Sequence, residues 1–203
     1  IVYKSQPPAL PRPRLAGRHQ IVNAGTAIAA LRAAGFGDLG TEAFEAGLAA
    51  IEWPGRLQRL RRGRLAGLVP PGSELWLDGG HNIDGGRILA AAMADLQERG
   101  DAPLVLVSGL LGTKDAEGFL ANFAGLARFL VAVPLAGQMA ARPAEEVAEI
   151  AGRVGLSATT APSVEAALVS LGDRAWDRPP RVLICGSLYL AGAVLAANGT
   201  PPT

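Results

Sequence analysis

The chain has 203 residues and 49% hydrophobic content, enough for one large domain, or one domain plus part of another, around a buried core. Nineteen basic residues against eighteen acidic ones leave a net charge of +1, so nothing in the charge balance points to nucleic acid or a membrane surface. No apolar stretch approaches the ~20 residues that span a bilayer, and no signal-peptide pattern is present, which favours a cytoplasmic setting. The single cysteine, Cys185, has no internal partner for a disulfide and lies in an apolar run, as a small buried side chain would.

In chain order, residues 1–16 are proline-rich and extended, with Ile1-Val2-Tyr3 as a possible edge strand. Ile21, Val22, Ala24, Ala27, Ile28 and Leu31 recur at helical spacing up to a stop at Gly35. A second helix is expected over Thr41–Ile51 with Thr41 as its N-cap. Pro54-Gly55 then breaks the chain, placing a domain boundary at residues 51–53 and dividing the chain into 1–52 and 53–203. One or two arginine-rich strands are expected between Arg56 and Leu68, a tight turn at Pro70-Pro71-Gly72 and a strand over Glu74–Leu77.

From there helices and strands alternate. The pattern predicts helices at Ile83–Arg99, Asp115–Leu126, Pro143–Val154, Ser163–Leu171 and Leu188–Ala197. It predicts strands at Pro103–Ser108, Phe129–Val133, Leu156–Thr159 and Arg181–Cys185. Alternation of this kind indicates βαβ units: an α/β, Rossmann-like fold with a mostly parallel, doubly wound sheet. Near-continuous apolar strands such as Leu104–Val107 suit a sheet covered on both faces.

The chemistry-bearing residues fall at the ends of these elements. Asp78-Gly79-Gly80-His81-Asn82 joins a strand to a helix, the edge at which parallel sheets bind ligands and an acidic side chain takes ribose hydroxyls. The bland alternative is a turn with Asp and Asn as caps. Gly17-Arg18-His19-Gln20 with Asn23 opens the first helix, where an amide one turn in could meet a nucleobase edge. Arg56 in Trp53-Pro54-Gly55-Arg56 has the planar fork that suits a phosphate, against the alternative of a surface arginine in an arginine-rich stretch. Trp53 reads as packing rather than as a stacking platform.

Lys114 and Lys4 are the only lysines, and Lys114 ends a strand at the same sheet edge, within reach of an anionic substrate. Ser187 in Gly186-Ser187-Leu188-Tyr189 reads first as a helix cap and second as a ligand contact. No second histidine or cysteine completes a ligand set, so no metal site is expected here. A Gly-x4-Gly-Lys-Ser/Thr phosphate loop is missing, and Gly109-Leu-Leu-Gly-Thr-Lys114 has the wrong spacing. With Ile rather than Met at its start, the chain reads as a fragment.

Taken in this order, Gly17-Arg-His-Gln with Asn23-Ala24, Trp53-Pro-Gly-Arg-Leu57, Asp78-Gly-Gly-His-Asn82 and Gly186-Ser-Leu-Tyr-Leu190 resemble four segments of the folylpolyglutamate synthase/dihydrofolate synthase family of the Mur-ligase superfamily. The family pattern has Ala where Gly80 stands, Pro where Ile83 stands and often Asp where Thr113 stands. The resemblance covers the end of a central ATPase domain, residues 1–52, and a C-terminal ligase domain, residues 53–203. It implies an ATP-dependent amide ligase that adds L-glutamate to dihydropteroate or folates, using magnesium whose ligands lie outside this chain.

The resemblance implies an adenine-side contact at Asn23, a phosphate contact at Arg56 and a ribose contact at Asp78. His81 would sit near ATP or glutamate with a catalytic share alongside Arg56, and Asn82, Lys114 and Ser187 would lie on the substrate side. Arg56 would act once the ligase domain closes on the ATPase domain. The implied partners are ATP, glutamate and pteroates or folates, with a monomer expected. Two other classes stay open. A nucleotide-using oxidoreductase needs a Gly-x-Gly-x-x-Gly turn that residues 78–83 do not have. A non-catalytic Rossmann-like module would bind nucleotide or amino acid without chemistry.

Overall fold

The computed structural model describes residues 10–36 and 38–200, and the expected edge strand at Ile1–Tyr3 lies outside the described residues. The chain divides into two compact units, Ile1–Trp53 and Pro54–Thr203.

The first unit carries helix α1 over His19–Ala33 and α2 over Thr41–Ala50. Gly40, not Thr41, occupies the N-cap of α2, and no side-chain bond closes it; Thr41 is already helical. Phe44 and Leu48 of α2 are buried, and the Arg32 guanidinium lies 5.3 Å from the Phe44 ring centre. The helical period expected for α1 is present, yet its apolar residues are not core: Ile21, Val22 and Leu31 are exposed and Gln20 is the buried residue.

In the second unit the strands are β1 (Gln58–Arg59), β2 (Glu74–Leu77), β3 (Leu104–Ser108), β4 (Ala127–Ala132), β5 (Ala158–Thr160) and β6 (Arg181–Cys185). The helices are α3 (Ile83–Arg99), α4 (Ala116–Ala121), α5 (Ala144–Arg153), α6 (Val164–Gly172) and α7 (Leu188–Asn198). The sheet order is β1-β2-β6-β3-β4-β5, antiparallel only at β1. This is the mostly parallel α/β architecture that the alternating pattern implies. Connections through α3, α4 and α5 all step the same way along the sheet, whereas α6 brings the chain back to insert β6 between β2 and β3. Right-handed crossovers therefore place α6 on the opposite face from α3, α4 and α5.

The two-residue period of the strands supports both faces. Leu75, Leu77, Val105, Val107, Val131, Val182 and Ile184 form one core with Leu168 and Leu171 of α6 and Leu190 and Val194 of α7. Their neighbours Leu104, Leu106, Leu130 and Leu183 are equally buried. Among the described residues no helix is long and apolar enough to cross a membrane.

Two expected elements are shorter than their patterns suggested. The arginine-rich stretch yields only β1 and a 3-10 turn at Leu65–Gly67. Buried Asn198 at the end of α7 accepts the Leu65 and Ala66 N–H groups and donates to the Arg62 carbonyl, which occupies the backbone a longer strand would need. Helix α4 stops at Ala121 because the Asn122 amide turns back onto the carbonyls of Gly118 and Phe119.

The far edge of the sheet, at the strand starts, is held by Glu74. One of its oxygens accepts from Arg181 Nε at 2.6 Å and Trp76 Nε1 at 3.2 Å, and the other pairs with Arg59 at 3.0 Å. Burial pushes the carboxyl upward, but the bonds from Arg181 and Trp76 and the two arginine charges outweigh it and hold it below the usual carboxylate range. A carboxyl lowered on folding stabilises fully above its unfolded value, and that contribution fades as pH falls through the folded one. Glu74→Gln is expected to cost about 2 kcal/mol at neutral pH. In thermal melts the gap between wild type and variant should close as pH drops below about 4; a gap independent of pH would deny the charge its role.

Candidate functional site

The C-terminal edge of β2, β6 and β3 is where the sequence motifs of the second unit meet. The strand bonds of β2 continue past its end, where Asp78 N donates to the Ile184 carbonyl at 3.0 Å. The loop after β2 is tied to the loop after β6 by Gly186 N donating to Gly80 O at 2.9 Å. Gly186 has φ of 113°, and a Cβ there would stand 2.6 Å from Ser108 Oγ and 2.7 Å from the Gly109 carbonyl. Only glycine lets the β6 and β3 ends approach so closely.

Arg56 is brought to the same edge by its neighbours. Gly79 N donates to Gly55 O at 2.9 Å, and Leu57 N donates to Asp78 Oδ2 at 2.7 Å. Gln58 closes the turn by accepting from Gly55 N at 2.9 Å. The half-buried Arg56 guanidinium lies against Gly79, where a Cβ would stand 3.3 Å from Nη1 and would collide with Leu188. The absence of a side chain at residue 79 thus makes room for the arginine.

Asp78 is 6% exposed. Besides Leu57, it accepts from Gly80 N at 2.6 Å through Oδ1. Both carboxylate oxygens therefore serve the backbone, a role the ribose expectation did not include. The His81 ring approaches Gly79 O at 2.8 Å through Nδ1. A carbonyl can only accept, so Nδ1 carries the proton and Nε2 is the nitrogen left without one.

The substrate-side residues differ in kind. Asn82 is the N-cap of α3 and accepts from Gly85 N at 2.8 Å. Ser187 is 2% exposed and caps α7 by accepting from Tyr189 N at 3.1 Å. For both, the bland expectation of a helix cap describes the contacts present. Lys114 is half-buried in the loop after β3. That loop is fastened by Gly112 N to Ala140 O at 2.7 Å, and by Arg142 Nη2 to the carbonyls of Gly112 and Lys114 at 3.0 and 3.3 Å. Arg142 also pairs with Glu146. Nothing in the sequence marks Arg142 among so many arginines.

Asn23 belongs to the first unit. It is exposed, and its amide donates to Gln20 Oε1 at 3.1 Å. Buried Gln20 in turn donates to His19 Nε2 at 2.9 Å, so one glutamine orients two residues of the motif. Trp53 departs from expectation: it is 61% exposed rather than packed. Cys185 is buried at the end of β6, and burial followed by the nearby Asp78 charge pushes its thiol far upward, as an inert core residue requires.

No protein-family model matches the chain. It is 31% identical over 207 residues to the dihydrofolate synthase/folylpolyglutamate synthase of Mycobacterium tuberculosis, covering 93% of this chain and 40% of the relative. It is similar to the solved M. tuberculosis folylpolyglutamate synthase complexed with ADP and AMPPCP, at 31% identity and TM-score 0.78 over 94% of this chain and 42% of that one. It is likewise similar to the Yersinia pestis bifunctional folylpolyglutamate synthase/dihydrofolate synthase complexed with AMPPNP and Mn ion. There the identity is 29% and the TM-score 0.75, over 97% of this chain and 42% of that one. The chain thus spans about two fifths of the length of the relatives it matches.

Proposed function

Because this chain belongs to the folylpolyglutamate synthase/dihydrofolate synthase family, we propose that it is the C-terminal part of an ATP-dependent ligase joining L-glutamate to dihydropteroate or reduced folates. The observation that carries the reading is the sheet edge itself. The Arg56 loop, the Asp78–Asn82 loop and the Gly186 turn interlock there. They come from three of the four segments on which the family resemblance rests.

In this reading the γ-phosphoryl group of ATP passes to a pteroate or folate carboxylate, and the glutamate amine then displaces phosphate from the acyl phosphate. Charge spreads over the phosphoryl oxygens during transfer, so catalysis rests on positioned cations. The Arg56 guanidinium offers paired donors to two such oxygens from a loop secured on both sides. His81 Nε2, on a ring fixed through Nδ1, faces ATP or glutamate in the same proposal, with Asn23 toward adenine and Asp78 near ribose. Since Asn82 and Ser187 act as caps, we place the glutamate carboxylate nearest Lys114, whose loop Arg142 fastens.

A divalent ion would neutralise the phosphates. Among the described residues no group of three or more His, Cys, Asp or Glu could hold one, so no residue of this chain is assigned to the ion and no step is routed through it. A cytoplasmic monomer is the form this reading takes.

The test is made on the complete protein with ATP, magnesium, dihydropteroate and glutamate, following phosphate release and the mass of the product. Glutamylated product is expected, with phosphate release that requires both co-substrates. A second incubation with a reduced folate in place of dihydropteroate reads the chain-extending activity. ATP binding with no product from either acceptor would favour the non-catalytic module.

A further inference from the structure

We propose that Arg142 is the positioning residue for Lys114: it sets the loop after β3 so that the Lys114 ammonium meets the carboxylate of the incoming amino acid. The inference rests on the reading above, which places that carboxylate nearest Lys114, and adds the residue that holds the lysine in place.

Lys114 stands at the edge where a parallel sheet takes its ligands. Its ammonium has no ion pair or side-chain hydrogen bond among the described residues, so its charge is left for an anion. Its backbone is the opposite case. Lys114 N donates to the Leu111 carbonyl at 3.1 Å, and the Lys114 carbonyl accepts from Arg142 Nη2 at 3.3 Å. The next residue, Asp115, caps α4 by accepting from Gly118 N at 2.9 Å. A free head on a fixed backbone suits an anion-binding lysine, because the four-carbon stem is flexible and only its base can be placed in advance.

The fixing comes from the segment after β4. Residues 140–142 run antiparallel beside the Lys114 loop: Gly112 N donates to Ala140 O at 2.7 Å, Arg142 N donates to Leu110 O at 2.9 Å, and Leu111 and Ala141 form a single bridge. The Arg142 side chain then reaches back to the loop. Nη2 donates to the carbonyls of Gly112 and Lys114, and Nη1 pairs with Glu146 in the first turn of α5. That side chain is only 16% exposed. A guanidinium so withdrawn from water is costly unless its donors are used, and here two loop carbonyls and one carboxylate use them. A lysine ammonium could not span all three from one rigid plane. Without the guanidinium, the Gly112 and Lys114 carbonyls lose their donor, and residues 112–114 lose the tie that fixes where the lysine stem begins.

The test uses the complete ligase with Arg142→Lys, Arg142→Ala, Lys114→Ala and the Arg142→Ala/Lys114→Ala pair, measuring KM for glutamate and for ATP separately. A misplacement of about 1 Å can cost on the order of 100-fold, so Arg142→Ala is expected to raise KM for glutamate by roughly tenfold to 100-fold. KM for ATP should change by less than about twofold, because the nucleotide is held by other residues. Arg142→Lys, which keeps the charge but not the fork, should fall between Arg142→Ala and wild type. The pair should lose little more than Lys114→Ala alone, because both changes disable one device. Multiplicative rises in the pair would give Arg142 a contribution of its own, and a wild-type KM for glutamate in Lys114→Ala would leave nothing to position; either result overturns the proposal. Equal losses toward glutamate and ATP overturn it as well.

Hydrogen exchange reads the positioning without catalysis. In Arg142→Ala the Gly112 and Lys114 amides should exchange faster while Val105 and Val107 in β3 stay protected; an unchanged loop overturns the proposal whatever the kinetics. Should Arg142→Ala fail to fold, Arg142→Lys carries the same measurements, with smaller shifts in the same direction expected. A wild-type protein that makes no glutamylated product would instead defeat the functional reading, and the exchange result would still decide whether Arg142 orders the loop.

Discussion

Arg56→Lys is expected to lower kcat of the complete ligase by about 100-fold, some 2.7 kcal/mol of transition-state stabilisation, with a smaller change in KM for ATP. Charge is conserved in this variant, so a purely electrostatic role predicts almost no effect. A lysine ammonium is a point charge on a flexible stem and cannot offer two parallel N–H donors to neighbouring oxygens. The loop cannot shift to compensate, since Gly55 and Leu57 are both bonded to the end of β2. In the proposed role the fork meets oxygens that gain charge during transfer more than those of bound ATP, so the loss should fall on kcat. Steady-state kinetics at saturating glutamate and pteroate, with ATP affinity measured separately, will separate the two. Wild-type turnover in the lysine variant would return Arg56 to the surface arginines among which its sequence places it.

The strands and helix caps leave a signal in the sequence, whereas the contacts that hold the Arg56 loop do not. Strands such as Leu104–Ser108 and Arg181–Cys185 announce themselves as apolar runs, since both faces of the sheet are covered. Helices α3, α6 and α7 begin where Asn82, Ser163 and Ser187 stand, and all three side chains cap as their residue types predict. Contacts distant in sequence leave no such mark. The insertion of β6 between β2 and β3 is invisible to any local pattern, although it is what brings Gly186 against Gly80. Asn198 reaches back 133 residues to Leu65 and so shortens the strand expected there. Asp78 was recognisable as an acidic residue at a strand end. Its partner Leu57, a leucine in a left-handed conformation, has a residue type that argues against the conformation it adopts. The exposed apolar residues of α1 show the reverse failure, a spacing that fixes the helix and says nothing of what lies against it.

The 203-residue polypeptide produced by itself is expected to fold but not to ligate glutamate. Folding follows from the second unit, whose five-strand parallel array has buried side chains on both faces and a sixth strand closing one edge. Cooperative melting and protected amides in β3 and β6 should be observed. Failure to ligate follows from the residues these 203 positions contain. No Gly-x4-Gly-Lys-Ser/Thr sequence is among them to cradle β- and γ-phosphates with backbone N–H groups. Arg56 and its companions would then meet ATP at one side only, and affinity should be weak, because a clamp needs its opposing half to exclude water and align the reacting atoms. The polypeptide would be mixed with ATP, magnesium, dihydropteroate and glutamate, with phosphate release and product mass followed over hours, and nucleotide binding measured by calorimetry. Turnover comparable to that of an intact ligase would mean that these residues hold a phosphate cradle of another kind.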